Sequence, residues 1–192
     1  MRRHNQKVDI LVVNDGSIDN TSNIARNNGA IVIDLAFNMG YGVALQTGFK
    51  YALDAGYNYV VQIDADGQHD PKYIGELLNE LVNTKADLVI GSRFLIKTNY
   101  KVPLVRLMGI RFFNFITFLF TGQRITDCTS GYRAVNRQVL DFYASDIYPW
   151  DYPDADVLIM LYFAGFKFKE ISVIMFESKS GKSMHSGLKP LY

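Results

Sequence analysis

Two carboxylates stand two residues apart in Asp64-Ala65-Asp66-Gly67-Gln68-His69-Asp70-Pro71, directly after the apolar run 59–63. Burying two anions at the end of an apolar strand is costly without a cation. A hard divalent ion removes that cost, because Mg²⁺ typically takes one or two carboxylates together with substrate phosphates. The same ion would neutralise a departing diphosphate. A bare pair of this kind is otherwise a solvated acidic turn. The strand before it and Gly67, Gln68 and His69 after it favour the metal reading.

Four further clusters carry chemistry. Asn14-Asp15-Gly16-Ser17-Ile18-Asp19-Asn20-Thr21 follows a short apolar run. There the Asp15 carboxylate can accept the imide hydrogen of a uracil, while Asp19 or Thr21 alternatively caps the next helix. Residues 38–48, Asn-Met-Gly-Tyr-Gly-Val-Ala-Leu-Gln-Thr-Gly, permit close backbone approach. They match neither a Walker A loop nor a G-x-G-x-x-G fingerprint, and a tight turn packing a helix on a sheet is the competing reading. Gly91-Ser92-Arg93 ends another strand, and arginine there can clamp a phosphate with two bonds. Thr126-Asp127-Cys128-Thr129-Ser130-Gly131-Tyr132-Arg133 adds Asp127, Ser130 and Arg133. A surface loop explains these singly; in series they read as a cleft wall.

These clusters need a scaffold, and the hydrophobic pattern supplies one. Strand-like runs at 8–13, 31–35, 59–63, 88–90, 132–135 and 167–176 alternate with helix-like stretches through Ile24 and Ala25 and over 43–53, 71–81, 105–120 and 157–163. That alternation predicts an α/β domain with a mostly parallel sheet flanked by helices. The run 59–63 is unusually apolar, so it is expected to be central. Polar clusters repeatedly follow strands, where open α/β sheets bind ligands, and this predicts one shared cleft.

The bulk numbers exclude other classes. The 192 residues suit one domain, and a formal net charge of +1 provides no global basic field for nucleic acid. One cysteine, Cys128, precludes an intramolecular disulfide, in keeping with a reducing compartment. The polar, basic start is unlike a signal peptide. With no unbroken apolar run of 18 residues, no membrane-spanning helix is expected.

Taken in order, V-N-D-G-S-I-D-N-T, N-M-G-Y-G-V-A, D-A-D-G-Q-H-D-P, G-S-R and D-C-T-S-G-Y-R resemble family 2 glycosyltransferases of the GT-A fold, closest to the dolichyl- and polyprenyl-phosphate sugar synthases. The resemblance runs from about Ile10 to Ser186. It implies a Rossmann-like nucleotide-diphospho-sugar transferase domain over residues 1–192, without the family's first strand and its C-terminal extension. It implies Mg²⁺ or Mn²⁺, a nucleotide-diphosphate sugar as donor, and a polyprenyl phosphate or cell-envelope glycan as acceptor, with inversion. Asp64 and Asp66 become the metal pair, with Asp66 the direct ligand and Gln68 nearby. Asp15 becomes the base-reading carboxylate, and Arg93 and Arg133 the phosphate-side cations. Asp127 and Ser130 lie in the loop under sugar and acceptor.

Asp154, with Asp156 second, matches the acid that serves as general base toward a hydroxyl acceptor, though a helix N-cap explains it equally. In the tail, Lys179 and Lys182 stand in for an arginine at the position of Ser178, and His185 is a further metal-ligand candidate or merely solvated. A missing first strand implies unpaired backbone groups beside residues 8–13 and puts activity of the chain in question.

The segment 107–120, with five phenylalanines and Arg106 and Arg111 at its edge, reads either as a core helix or as a peripheral contact with a membrane. The expected location is cytoplasmic, with association to the inner face of a membrane. A nucleotidyltransferase and a catalytically impaired binding or scaffold remnant are the competing functions.

Overall fold

The computed structural model describes residues 8–96, 104–151 and 153–176. The chain divides into two compact units, one formed by residues up to 57 with 140–153, the other by 58–139 with 154 onward.

In the first unit, strands β1 (Leu11–Asn14) and β2 (Ile31–Asp34) pair in parallel, Leu11 opposite Ile31 and Asn14 opposite Asp34. Helix α1 (Thr21–Asn27) connects them, and Gly29 at φ 83° turns the chain out of it. Helix α2 (Tyr41–Asp54) follows, with Phe49 and Ala52 buried. Among the described residues this sheet has two strands only, so β1 keeps an open edge. Phe49 meets Tyr143 and Tyr148 at ring-centroid distances of 4.9 and 5.7 Å. Such tilted and edge-on pairs favour aromatic packing beyond simple burial.

The second unit holds a four-stranded sheet in the order β3 (Tyr59–Gln62), β5 (Arg133–Asn136), β4 (Leu88–Ser92), β6 (Phe168–Ser172). β3, β4 and β6 run one way, and β5 lies antiparallel to both neighbours. The mostly parallel sheet expected from the sequence is thus present with one opposed strand. Pro71–Tyr73 form a single 3-10 turn leading into α3 (Ile74–Thr84). Pro at the start of such a turn loses no hydrogen bond. Leu77 and Leu81 of α3 pack with Val89, Tyr132, Ala134 and Val173 into the core of this unit.

Two expectations are corrected and one element is added. Among the described residues β3 lies at the end of its sheet with Tyr59 exposed, and the fully buried strand is β4. No residue of the run 59–63 is buried, and its two ends, Tyr59 and Ile63, are exposed. The helix over 105–120, here α4 (Leu104–Thr121), is not a core helix: its buried residues are Ile110, Thr117 and Thr121 alone. At 18 residues it is also long and apolar enough to cross a membrane by length and composition. Helix α5 (Arg137–Ala144) was not foreseen. Its start is marked by Asn136, whose side chain accepts the amide of Val139 at 3.0 Å, an Asn cap of the preferred type.

Candidate functional site

In the first unit the Asn14–Thr21 turn folds onto the glycine-rich loop. Both Asp15 oxygens accept loop amides, Met39 N at 2.6 Å and Gly40 N at 3.0 Å. Gly16 sits at φ 70°, and a β-carbon there would lie 2.5 Å from Asn38 N. Only glycine permits both the left-handed backbone and that approach. Gly42 is equally constrained, since a β-carbon would meet Pro149 O at 2.5 Å and Asp151 O at 2.6 Å. Beside this turn, Asn14, Ser22 and Arg26 all bond to Asp34. Hydrogen bonds from Ser22, Asn14 and Arg26 pull the Asp34 carboxyl down to about 2.

In the second unit the chain leaves β3 into the acidic turn, and His69 closes it from within. The His69 ring is buried and stacks on Tyr132 with centroids 4.8 Å apart. Its Nδ1 accepts the Asp64 amide at 3.0 Å, and its Nε2 stands 4.0 Å from Asp64 Oδ2. An accepting Nδ1 fixes the proton of the neutral ring on Nε2. Burial holds the imidazole below its ordinary pKa, against the pull of Asp64 and Asp66. Asp66 stands exposed, and its Oδ1 accepts the Gln68 amide at 2.9 Å. From the far side, Met175 forms a β-bridge to His69, and Phe176 donates its amide to Gln68 O at 2.8 Å.

The Gly91-Ser92-Arg93 turn and the 126–133 loop are bonded into one piece. Arg93 Nε and Nη2 donate to Asp127 Oδ2 and Oδ1 at 2.7 and 2.6 Å, and Nη2 also reaches Thr129 Oγ1 at 3.1 Å. The side chains are 4% and 0% exposed. The two-pronged clamp expected of Arg93 exists, but it closes on Asp127 rather than standing ready for a phosphate. A buried anion must be compensated, and the Arg93 guanidinium compensates Asp127. Ser130 Oγ donates to Gly91 O at 2.6 Å. Arg133, buried as well, spends Nε on Ser130 O and Nη2 on Cys128 O, holding the loop shut.

Two residues outside the expected set hold this loop. Glu170 on β6 accepts the amides of Thr126 and Asp127 at 3.0 and 3.1 Å. Burial raises its carboxyl above the usual range, while those bonds oppose the rise. Its one visible mark in the sequence is a charge inside an apolar alternation. Asn114 of α4 donates to Thr126 O at 2.7 Å and accepts Cys128 N at 3.1 Å. It was readable only as a polar residue interrupting a phenylalanine-rich run.

Tyr132 joins the two turns: its ring stacks on His69, its hydroxyl donates to Asp70 O at 2.9 Å, and its carbonyl accepts the Gly91 amide at 2.8 Å. The acidic turn and the glycine-serine-arginine turn are therefore neighbours. Asp154 sits at the N-cap position of α6 (Ala155–Phe163), yet its side chain makes no capping bond. Its amide goes to Asp156 Oδ1 at 2.9 Å and its carbonyl faces Arg133 Nη2 at 3.4 Å. Ser178, Lys179, Lys182 and His185 lie outside the described residues.

Among the described residues no three His, Cys, Asp or Glu side chains gather into a protein-only metal cage. Asp64 and Asp66, with His69 Nδ1 already committed, instead suit an ion that takes its remaining ligands from water and phosphate, which is the habit of Mg²⁺. The residues present therefore fit a shared, substrate-completed metal site.

The sequence pattern described as glycosyl transferase family 2 matches residues 2–143. The chain belongs to that family. Over 158 residues this family 2 chain is 35% identical to the UDP-N-acetylglucosamine–dolichyl-phosphate N-acetylglucosaminyltransferase of Methanococcus voltae, covering 73% of the chain and 62% of that protein. Over 190 residues it is 33% identical to the undecaprenyl-phosphate mannosyltransferase of Micrococcus luteus, covering 93% and 76%. In fold it is similar to glucosyl-3-phosphoglycerate synthase from Mycobacterium tuberculosis, solved with Mn²⁺ and UDP-glucose, with a TM-score of 0.66 and 19% identity over 94% of the chain and 62% of that structure. The family 2 domain thus has the GT-A architecture expected from its motifs.

Proposed function

We propose that this family 2 chain transfers a sugar from a nucleotide-diphosphate donor to a polyprenyl phosphate, with a divalent ion and with inversion at the anomeric carbon. The observation that carries the reading is the buried His69 ring, which accepts the Asp64 amide and stacks on Tyr132 of the 126–133 loop, whose carbonyl in turn accepts the Gly91 amide. Two relatives named as acting on dolichyl and undecaprenyl phosphate support the acceptor class. The Mn²⁺ and UDP-glucose held by the fold relative support the donor class.

In this reading Asp66, the exposed member of the pair, and Asp64 hold the cation together with the donor diphosphate, with Gln68 beside them. When bound, the ion supplies charge neutralisation for the leaving diphosphate. His69 keeps the turn in place through the Asp64 amide. An acceptor phosphate oxygen forms the new bond to the anomeric carbon as the bond to the diphosphate breaks, and a nucleoside diphosphate leaves. Because a phosphate is already anionic, little is required of a general base, so Asp154 orients rather than deprotonates. The Asp127–Arg93 pair and Ser130 shape the loop beneath the sugar. Asp15 is assigned to the base, and Lys182 to the diphosphate.

The test is a donor panel measured by thermal shift with Mn²⁺ or Mg²⁺, followed by product analysis with a short-chain polyprenyl phosphate. Ligand that binds the folded form raises apparent stability. Release of a nucleoside diphosphate and loss of transfer in Asp66→Ala support the proposal. Pyrophosphate release would make the chain a nucleotidyltransferase, and absence of binding to every donor would make it a remnant.

A further inference from the structure

The start of the 126–133 loop is gripped from two sides, and the two grips differ in charge. On one side Asn114 of α4 uses a neutral amide, donating to Thr126 O and accepting Cys128 N. On the other side Glu170 of β6 uses a carboxylate. Its Oε1 accepts the Thr126 amide at 3.0 Å, the Thr126 hydroxyl at 3.0 Å and the Asp127 amide at 3.1 Å, while its Oε2 accepts the Thr126 amide at 3.0 Å.

The strand pleat brings Glu170 there. β6 pairs with β4 in parallel, Glu170 opposite Ile90. Successive residues of a strand face opposite sides. Ile171 therefore packs against the α3 core, and Glu170 meets the loop on the other side of the sheet.

A carboxylate is a demanding choice for this place. Burial and the neighbouring Asp127 charge both push against its ionised form, and the Thr126 and Asp127 donors oppose them. Asn114 shows that a neutral group can serve the same loop. What the charge adds is stiffness, since charge-assisted hydrogen bonds are shorter and stronger than neutral ones. That stiffness acts on Asp127. The Asp127 side chain already holds the Arg93 amide and guanidinium, and its carbonyl accepts Ser130 N at 3.2 Å. Glu170 secures the last polar group of the residue, its amide. The Thr126 hydroxyl, 2.6 Å from Ser92 Oγ, ties the same grip to the end of β4.

We infer that Glu170 is a positioning residue for sugar transfer: by gathering the Thr126 and Asp127 amides on one carboxylate, it sets where the Asp127–Ser130 turn lies against the Gly91–Arg93 turn. It acts through Asp127 and not on the reacting atoms. The inference rests on the reading in which this loop lies beneath the sugar. Its bonds described above go to the loop and not to the acidic turn, so losing the charge should spare the donor and its cation.

The experiment compares the full chain with Glu170→Gln in steady-state transfer to a short-chain polyprenyl phosphate, in nucleotide-sugar thermal shift and in urea titration. Glutamine keeps one acceptor oxygen, sets an NH2 group against the Thr126 amide and removes the charge beside Asp127. Because a misplacement of about 1 Å can slow an enzyme about 100-fold, kcat is expected to fall roughly ten- to 100-fold, with donor KM and donor shift within about twofold of the parent. The urea midpoint should equal or exceed the parent's. A group that merely held the fold together would lower midpoint, donor shift and kcat in step, and that pattern would overturn the inference. So would a parent-like kcat in Glu170→Gln. Should the glutamine chain not fold, Thr126→Val decides, since it deletes the hydroxyl bond to Glu170 and keeps both amides. A lower kcat with an unchanged donor shift in that variant supports the inference, and an unchanged kcat overturns it. A parent chain that responds to no donor and transfers no sugar would sink the transferase reading, and the positioning role with it.

Discussion

Arg93 and Asp127, 34 residues apart in sequence, meet in a fully buried two-pronged pair, and the backbone amide of Arg93 adds a third bond to Asp127 Oδ2 at 3.0 Å. Removing one partner of such a pair strands a buried charge and costs about 3–5 kcal/mol. Arg93→Met and Asp127→Leu are each expected to lower stability by that amount in urea titration. The double variant should recover much of the loss. A single variant with unchanged midpoint would mean that the pair contributes nothing.

His69 positions the acidic turn through one bond from the Asp64 amide. Groups that orient metal ligands typically change metal affinity 10- to 100-fold when lost. His69→Ala is expected to weaken Mn²⁺ binding in the presence of a nucleoside diphosphate by that factor, read by calorimetry. His69→Asn, which retains an acceptor oxygen near the position of Nδ1, should recover part of it. Equal affinities in all three proteins would remove His69 from the site.

The Asp34 carboxyl, drawn to about 2 by Ser22, Asn14 and Arg26, makes an acid-stability prediction. Its folded pKa lies below its unfolded value, so its contribution is present above about pH 4 and fades as pH falls toward 2. The parent chain should therefore lose more stability than Asp34→Asn over that window, in denaturant titrations at stepped pH. Parallel pH curves for the two proteins would contradict the assignment.

Cys128 offers a chemical probe of the loop. Burial pushes its thiol up to about 12, so the reactive thiolate is scarce at neutral pH. Ellman's reagent is expected to label it only after unfolding, whereas Asn114→Ala, which cuts two bonds to the loop, should speed labelling of the folded chain. Fast labelling of the parent would mean that the loop is open.

The parts of the site legible in sequence were those written contiguously. Asp64, Asp66, Gln68 and His69 share one turn, and the glycines at 16 and 42 announce close approach. What the sequence left hidden depends on distant partners. Nothing local pairs Arg93 with Asp127, and Glu170 reaches its loop across 44 residues to Thr126. Nor does any local pattern announce that Asp15 accepts two loop amides from 24 and 25 residues away. The phenylalanine-rich pattern of α4 left a core helix and a peripheral contact both open, because it does not say which side faces the protein. The apolar run at 59–63 likewise did not reveal that β5 inserts between β3 and β4 and leaves β3 at the end of that sheet among the described residues.

The bridge between Met175 and His69, with the amide of Phe176 on Gln68 O, makes the last described stretch of chain part of the acidic turn. A shortened version for expression or crystallisation must therefore retain Phe176. Cutting even two residues earlier would take away the backstop of the turn more than a hundred positions upstream, so the damage would surface at Gln68 and His69 rather than at the trimmed end.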